Sequence, residues 1–69
     1  HIHMTPADAR RLGVEDRQRV RLKTLTARPL IFGDVEVRVR SDFATAAHLD
    51  YDEANACGFQ KGDRGFILP

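Results

Sequence analysis

Polar and apolar residues alternate along two segments of the chain. In 19–25, Val20 and Leu22 alternate with basic residues, with Leu25 as a further apolar candidate. In 35–40, three valines alternate with charged residues. Because a strand turns successive side chains to opposite faces, this period of two predicts two strands that each bury one face in a core.

Three further short segments have the composition of strands. Residues 30–32 form an apolar run, and the following pair Gly33-Asp34 is typical of a tight turn. The sequence therefore predicts a hairpin between 30–32 and 35–40. Residues 43–49 and 65–68 are predicted to supply the remaining extended segments.

A short helix is predicted near the amino terminus. Thr5 is suited to the N-cap, Pro6 to the first helical position, and Asp8 to the position that answers the cap. Gly13 is suited to the left-handed conformation that ends a helix. These signals predict a helix over 6–12.

The chain repeats this unit 45 residues later. Asp50 and Glu53 provide a second cap, and Cys57-Gly58 a second helix end. The same offset aligns further residues: Arg19 with Arg64, Leu22 with Ile67, and His3 with His48. An internal repeat of one supersecondary unit predicts two halves that pack around a pseudo-twofold axis.

These elements predict a mainly β fold: a small closed β-barrel, double-psi-like, with an internal pseudo-twofold repeat and two short helices. The 69 residues suffice for one small domain. We expect residues 1–69 to form a single β-barrel domain that is a fragment of a longer, two-barrel protein.

Charge is almost balanced but unevenly distributed. The chain has 11 Lys and Arg against 10 Asp and Glu, with nine basic and five acidic residues in 1–40 and two and five in 41–69. Basic residues follow two strands: Arg17, Arg19, Arg21, Lys23, Arg38 and Arg40. Such stripes contact phosphates in nucleic-acid-binding barrels, but stacking also needs exposed aromatics, for which Tyr51 is the candidate. We expect a solvated face paired with Glu36, and no nucleic-acid partner.

The single cysteine, Cys57, excludes an internal disulfide framework. Its place at the end of a predicted helix favours a small buried side chain over a reactive thiol. With no apolar stretch near 18 residues, the composition predicts a soluble protein of a reducing compartment, with no membrane partner.

The three histidines are His1, His3 and His48. On a strand, His1 and His3 present both imidazoles to one face, and a third from a distant loop completes the pattern of a metal site that keeps a position open. Two alternatives stay open: the His-rich start is the remnant of an added tag, or these are ordinary strand histidines. A free terminal amine beside His3 would also chelate copper or nickel, without His48.

Four runs together resemble the PduL-type phosphate propanoyltransferases, which are phosphotransacylases. They are His1-Ile2-His3-Met4-Thr5-Pro6, Leu30-Ile31-Phe32, Val35-Glu36-Val37-Arg38-Val39, and the run from His48 to Ala56. The combination of HIHM with the later DEANA is more specific than either alone. The resemblance spans nearly all of this chain and implies the second of the family's two barrel-like regions.

The resemblance implies a metal-dependent acyltransferase, which exchanges coenzyme A and phosphate on a short acyl group with two bound metal ions, usually zinc. His1, His3 and His48 would bind one ion. The second ion and a phosphate-binding arginine would belong to an upstream region of the same protein. The implied partners are acyl-CoA, phosphate and that region, with oligomers allowed, and the implied location is the bacterial cytoplasm or a microcompartment for propanediol utilisation. A non-catalytic barrel that binds a ligand or nucleic acid is the alternative.

Two departures from the family pattern affect local conformation. Arg17 stands where the family usually has a turn glycine, and Ala46-Ala47 precede His48 where a Glu-Met pair is common. A turn glycine often marks a positive φ, which costs energy for a longer side chain. We therefore expect a strained backbone at Arg17.

Overall fold

The computed structural model describes residues 1–68 as five strands and two helices. In chain order these are β1 (Ile2–Met4), α1 (Pro6–Leu12), β2 (Arg19–Leu25), β3 (Ile31–Val39), β4 (Ala46–Ala47), α2 (Tyr51–Cys57) and β5 (Arg64–Leu68). The predicted segment 43–49 thus contributes a strand of only two residues. No helix within 1–68 is long and apolar enough to span a membrane.

The strands form one sheet in the order β4-β1-β3-β2-β5. β3 lies at its centre, parallel to β1 and antiparallel to β2, and β4 and β5 lie at its two edges. The mainly β prediction with two short helices is confirmed. Among residues 1–68 no pairing joins β4 to β5, so the sheet is a curled half-barrel and the predicted closure is not confirmed.

The hairpin predicted at Gly33-Asp34 is wrong, because β3 continues through these residues. Val20 lies opposite Val35 and Leu22 opposite Phe32, so three steps along β3 match two along β2. Asp34 adopts a left-handed φ of 55°. The residues that suggested a turn therefore form a β-bulge, in which one extra residue bends the strand without ending it.

The predicted repeat is visible in both helices. Thr5 and Asp50 each accept a hydrogen bond from the N–H three residues on, at 3.2 and 2.8 Å. Gly13 and Gly58 end the helices with φ of 71° and 67°. The reciprocal half of the cap forms only in α2, because Asp8 bonds Thr45 and Arg11 instead of returning to Thr5.

The sheet register locates the pseudo-twofold axis. Ile2 lies opposite Ala47, and Leu22 lies opposite Ile67. Each of these pairs joins a residue to its own counterpart 45 positions later, which is the arrangement expected where a twofold axis passes through an antiparallel ladder. The axis therefore runs between β1 and β4 at one site and between β2 and β5 at another.

Arg17 has the strained conformation that the sequence suggested. Its φ is 67°, and Gly62, its counterpart in the repeat, has a φ of 95°. A non-glycine residue in this region costs about 1–3 kcal/mol. The second copy avoids this cost by having glycine, and the first copy does not.

The core lies between the inner face of the sheet and α1. It contains Ile2, Met4, Ala9, Val14, Val20, Leu22 and Val37. Cys57 is fully buried, as predicted. Thr24, and not Leu25, continues the inward row of β2, because the period of two extends through the end of the strand: Thr24 is 4% exposed and Leu25 is 45% exposed.

Candidate metal centre

The three histidines meet because β1 pairs with β4. Ile2 separates His1 from His3, so the two imidazoles leave the same side of the chain. His48 directly follows β4, and its N–H donates to the carbonyl of His1 at 2.8 Å. The antiparallel pairing of β1 with β4 therefore brings His48 close to His1 and His3, as the spacing predicted.

The three imidazoles form a compact cluster. The ring centroid of His3 lies 4.7 Å from that of His1 and 4.4 Å from that of His48, and the other two are 5.1 Å apart. One nitrogen from each ring lies within 4.8 Å of the others. His3 is half-buried, while His1 and His48 are exposed.

The Nε2 atom of His3 is buried and has no hydrogen-bond partner in the described structure. A buried polar atom without a partner costs about 1–3 kcal/mol, so such atoms are rare in folded proteins. Burial, followed by the nearby charges of His48 and Arg38, lowers the pKa of His3 below 6.5. This shift favours the neutral form of the ring, whose free electron pair can bind a metal ion.

Three imidazoles are a donor set that suits zinc, but the nitrogens lie slightly farther apart than one bound ion requires. Zn–N bonds measure about 2.0–2.1 Å, so two nitrogens that share an ion lie at most about 4.2 Å apart. The observed separations, up to 4.8 Å, need a small rotation of one or two rings. His1 and His48 are exposed and are free to make it.

A cleft of about 350 Å³ adjoins the cluster and is lined by His1, His48, Leu49, Asp50 and Glu53. Its two carboxylates are engaged elsewhere. Asp50 accepts from the N–H of Glu53 at 2.8 Å, and Glu53 accepts from the N–H of Asp50 at 2.9 Å. Their predicted role as capping groups is confirmed.

Sequence reasoning missed Phe43, which stacks on His3. The two ring centroids are 3.9 Å apart and the ring planes differ by 7°. Phe43 lies in the loop between β3 and β4, outside any periodic pattern. No local signal marks it, because its contact with His3 depends on how that loop crosses β1.

The predicted pairing with Glu36 is confirmed for two residues of the basic stripe, Arg19 and Arg38. Arg38 bonds Glu36 at 2.7 Å, and Arg19 approaches both Glu36 and Asp34, at 3.8 and 3.4 Å. These pairs hold the pKa of Glu36 below 4.5, mainly through the Arg38 hydrogen bond. Tyr51 is not alone as an exposed aromatic, since Phe59 and Phe66 are 46% and 56% exposed.

Comparison with known proteins gives a consistent result. The family model described as phosphate propanoyltransferase matches residues 1–60. Proteins of that name are similar along 99% of this chain: 60% identical in Listeria monocytogenes, 59% in Enterococcus faecalis and 48% in Thermotoga maritima. The chain spans about a third of the length of these relatives, 32–33% in each case.

Proposed function

The chain belongs to the phosphate propanoyltransferase family, and on this basis we propose that the protein carrying it is a phosphate acyltransferase. The reaction converts a short-chain acyl-CoA and phosphate to an acyl phosphate and coenzyme A. This chain contributes one zinc site, composed of His1, His3 and His48. The reaction is proposed from the family, and the metal site is proposed from the histidine cluster.

One observation supports the metal site: the imidazole of His3, which has a buried nitrogen without a hydrogen-bond partner, lies beside two other imidazoles. Three imidazoles are a donor set typical of catalytic zinc. When bound, zinc supplies a Lewis acid that polarises a phosphoryl or carbonyl oxygen. A bound ion also explains why an unpartnered nitrogen is tolerated at this place.

Residues of this chain would line one side of the active site. One imidazole nitrogen from each of the three histidines lies within 4.8 Å of the others, beside a cleft in which a phosphate can lie. The Cys57 thiol is fully buried and so offers no nucleophile. We propose direct transfer, which is consistent with the buried thiol: a phosphate oxygen bonds the acyl carbon, the carbon–sulfur bond breaks, and coenzyme A leaves as its thiolate.

The proposed structural partner is the remainder of the same protein. The relatives are about three times as long as this chain, and the edge strands β4 and β5 are each paired on one side only within 1–68. An upstream region that covers these edges would also bring the second metal ion and the phosphate-binding arginine of the family. We place the enzyme in the bacterial cytoplasm or in a microcompartment.

The zinc content of the full-length protein tests this proposal. We expect His48→Ala to lower the zinc bound per chain by one equivalent, and to lower the rate of thiol release from propanoyl-CoA and phosphate by more than tenfold. Asp52→Asn, on the exposed side of α2, is the matched control and should change neither quantity. Equal zinc content in the wild type and His48→Ala would refute the three-histidine site.

The direct-transfer step has a separate test. Rapid quenching of the enzyme with radiolabelled propanoyl-CoA, in the absence of phosphate, should leave no label bound to the protein. A labelled acyl-enzyme would overturn direct transfer while leaving the metal site intact.

A further inference from the structure

The loop of residues 40–45, between β3 and β4, is fixed to the first half of the chain at both ends. At its start, the N–H of Arg40 donates to the carbonyl of Met4 at 3.1 Å. At its end, the hydroxyl of Thr45 donates to the Asp8 carboxylate and accepts from the N–H of Thr5 at 3.3 Å. The loop therefore crosses the end of β1 directly beside His3.

Between these anchors, Phe43 lies flat against the imidazole of His3, with centroids 3.9 Å apart. The guanidinium carbon of Arg40 lies 5.4 Å from the centroid of the Phe43 ring, which is a cation–π distance. Asp42 holds that guanidinium through two hydrogen bonds, at 3.1 and 3.4 Å. The phenyl ring is thus itself held in place by its neighbours.

We propose that Phe43 is a positioning residue, which fixes the orientation of the His3 imidazole for metal binding. This inference rests on the zinc site proposed above. The imidazole of His3 makes no side-chain hydrogen bond within residues 1–68, so no such bond fixes the orientation of the ring, and its Nε2 is buried without a partner. The flat contact with Phe43 takes the role that a hydrogen-bonded carboxylate or carbonyl has at many zinc-bound histidines.

The geometry explains why this position needs a flat aromatic ring. Rotation about the Cβ–Cγ bond of His3 tilts the imidazole against Phe43, which already lies within 7° of parallel at close stacking distance. A branched aliphatic side chain of similar size fills the space but offers no plane to align the ring. Without the flat ring of Phe43, the His3 nitrogen would still be present, but its orientation would be less well defined.

The experiment measures the affinity of the full-length protein for Zn²⁺ and Co²⁺ by competition with a chelator. We expect Phe43→Leu to weaken binding at this site about tenfold, the lower end of the range for residues that orient metal ligands. Phe43→Tyr keeps the ring and should stay within about twofold of the wild type. The d–d absorption bands of bound Co²⁺ should shift in Phe43→Leu and return to wild-type positions in Phe43→Tyr.

Phe66→Leu is the matched control, because Phe66 is an exposed phenylalanine on β5. It should leave both affinity and spectrum unchanged. Phe43→Met serves in the same role as Phe43→Leu if the latter does not fold. Unchanged affinity and unchanged Co²⁺ bands in the aliphatic variants would overturn the role of Phe43. If the wild type and His48→Ala bind the same amount of metal, the metal site itself is overturned.

Discussion

The two halves of the repeat have equivalent helix ends and turns but different burial. Met4 is 0% exposed, and its counterpart Leu49 is half-buried. Val14 is 5% exposed, and its counterpart Phe59 is 46% exposed. The hydrogen bonds of the two N-cap side chains, the glycines at the helix ends and the turns before β2 and β5 are nevertheless equivalent. The two halves therefore share local structure but differ in how deeply their equivalent residues are buried.

The difference comes from β3, which has no counterpart among residues 1–68. β3 pairs with both strands of the first half, β1 and β2, whereas β4 and β5 each pair only with their own counterparts. Caps and turns are decided by nearby residues, but burial is decided by what packs on top. The comparison teaches that the first half forms the described core and the second half adjoins it.

The largest expected effect compares two core positions of the repeat. Met4→Ala removes a fully buried side chain and should lower the free energy of unfolding by about 2–5 kcal/mol. Leu49→Ala, at a half-buried site, should cost less than half as much in urea unfolding of the same protein. Equal costs would show that Leu49 is covered as completely as Met4 in the full-length protein, and would end the contrast between the halves.

The next effect concerns the two left-handed residues before β2 and β5. Gly62→Ala has free space around its new Cβ, so the expected loss of about 1 kcal/mol comes from φ alone. Arg17→Gly should have the opposite sign and raise the free energy of unfolding by about 0.5–1 kcal/mol. A destabilised Arg17→Gly would mean that the Arg17 side chain contributes more than its backbone strain costs.

The helix caps should differ by a few tenths of a kcal/mol. Removing a cap costs about 1 kcal/mol, so both Asp50→Ala and Thr5→Ala should destabilise the protein. Asp50→Ala should cost more because α2 has a complete capping box, while Thr5 has only one half of it. Thermal unfolding of the two variants measures the difference, and the reverse order would contradict the reciprocal bond in α2.

The smallest expected effect depends on pH. The hydroxyl of Thr45, and then the guanidinium of Arg11, hold the pKa of Asp8 below 3.8. A lowered pKa in the folded state means that Asp8 stabilises the fold above pH 3.8 and that this contribution is lost as the pH falls further. Asp8→Asn should therefore be less stable than wild type at pH 6 and closer to it at pH 3. If the urea midpoints of Asp8→Asn and the wild type differ by the same amount at both pH values, the charge of Asp8 does not contribute to stability.

Much of the fold could be predicted because its signals are local. Period-two alternation located β2, and cap residues located both helices, since these depend on residues within one or two turns. The histidine cluster was also predictable, because His1 and His3 share a strand face and His48 obeys the repeat. In each case the spacing of residues along the sequence is enough to predict which side chains lie close together.

The remainder depended on contacts that spacing does not encode. Gly33-Asp34 suits a hairpin turn and a bulge equally, and the choice was made by the pairing of β3 with β2. Closure of the sheet depends on what lies beside β4 and β5. Phe43 reaches His3 only because Arg40 and Thr45 attach its loop to the first half.

The bulge at Asp34 has a consequence for insertions and deletions. Removal of that one residue would leave Val35 opposite Val20 and Phe32 opposite Leu22, because the bulge already supplies one residue more than the ladder needs. Removal of Glu36 would instead reverse the facing of every later residue in β3, and would turn the fully buried Val37 outward from its place beside Ile2. Natural variation in the length of this strand should therefore be concentrated at Asp34.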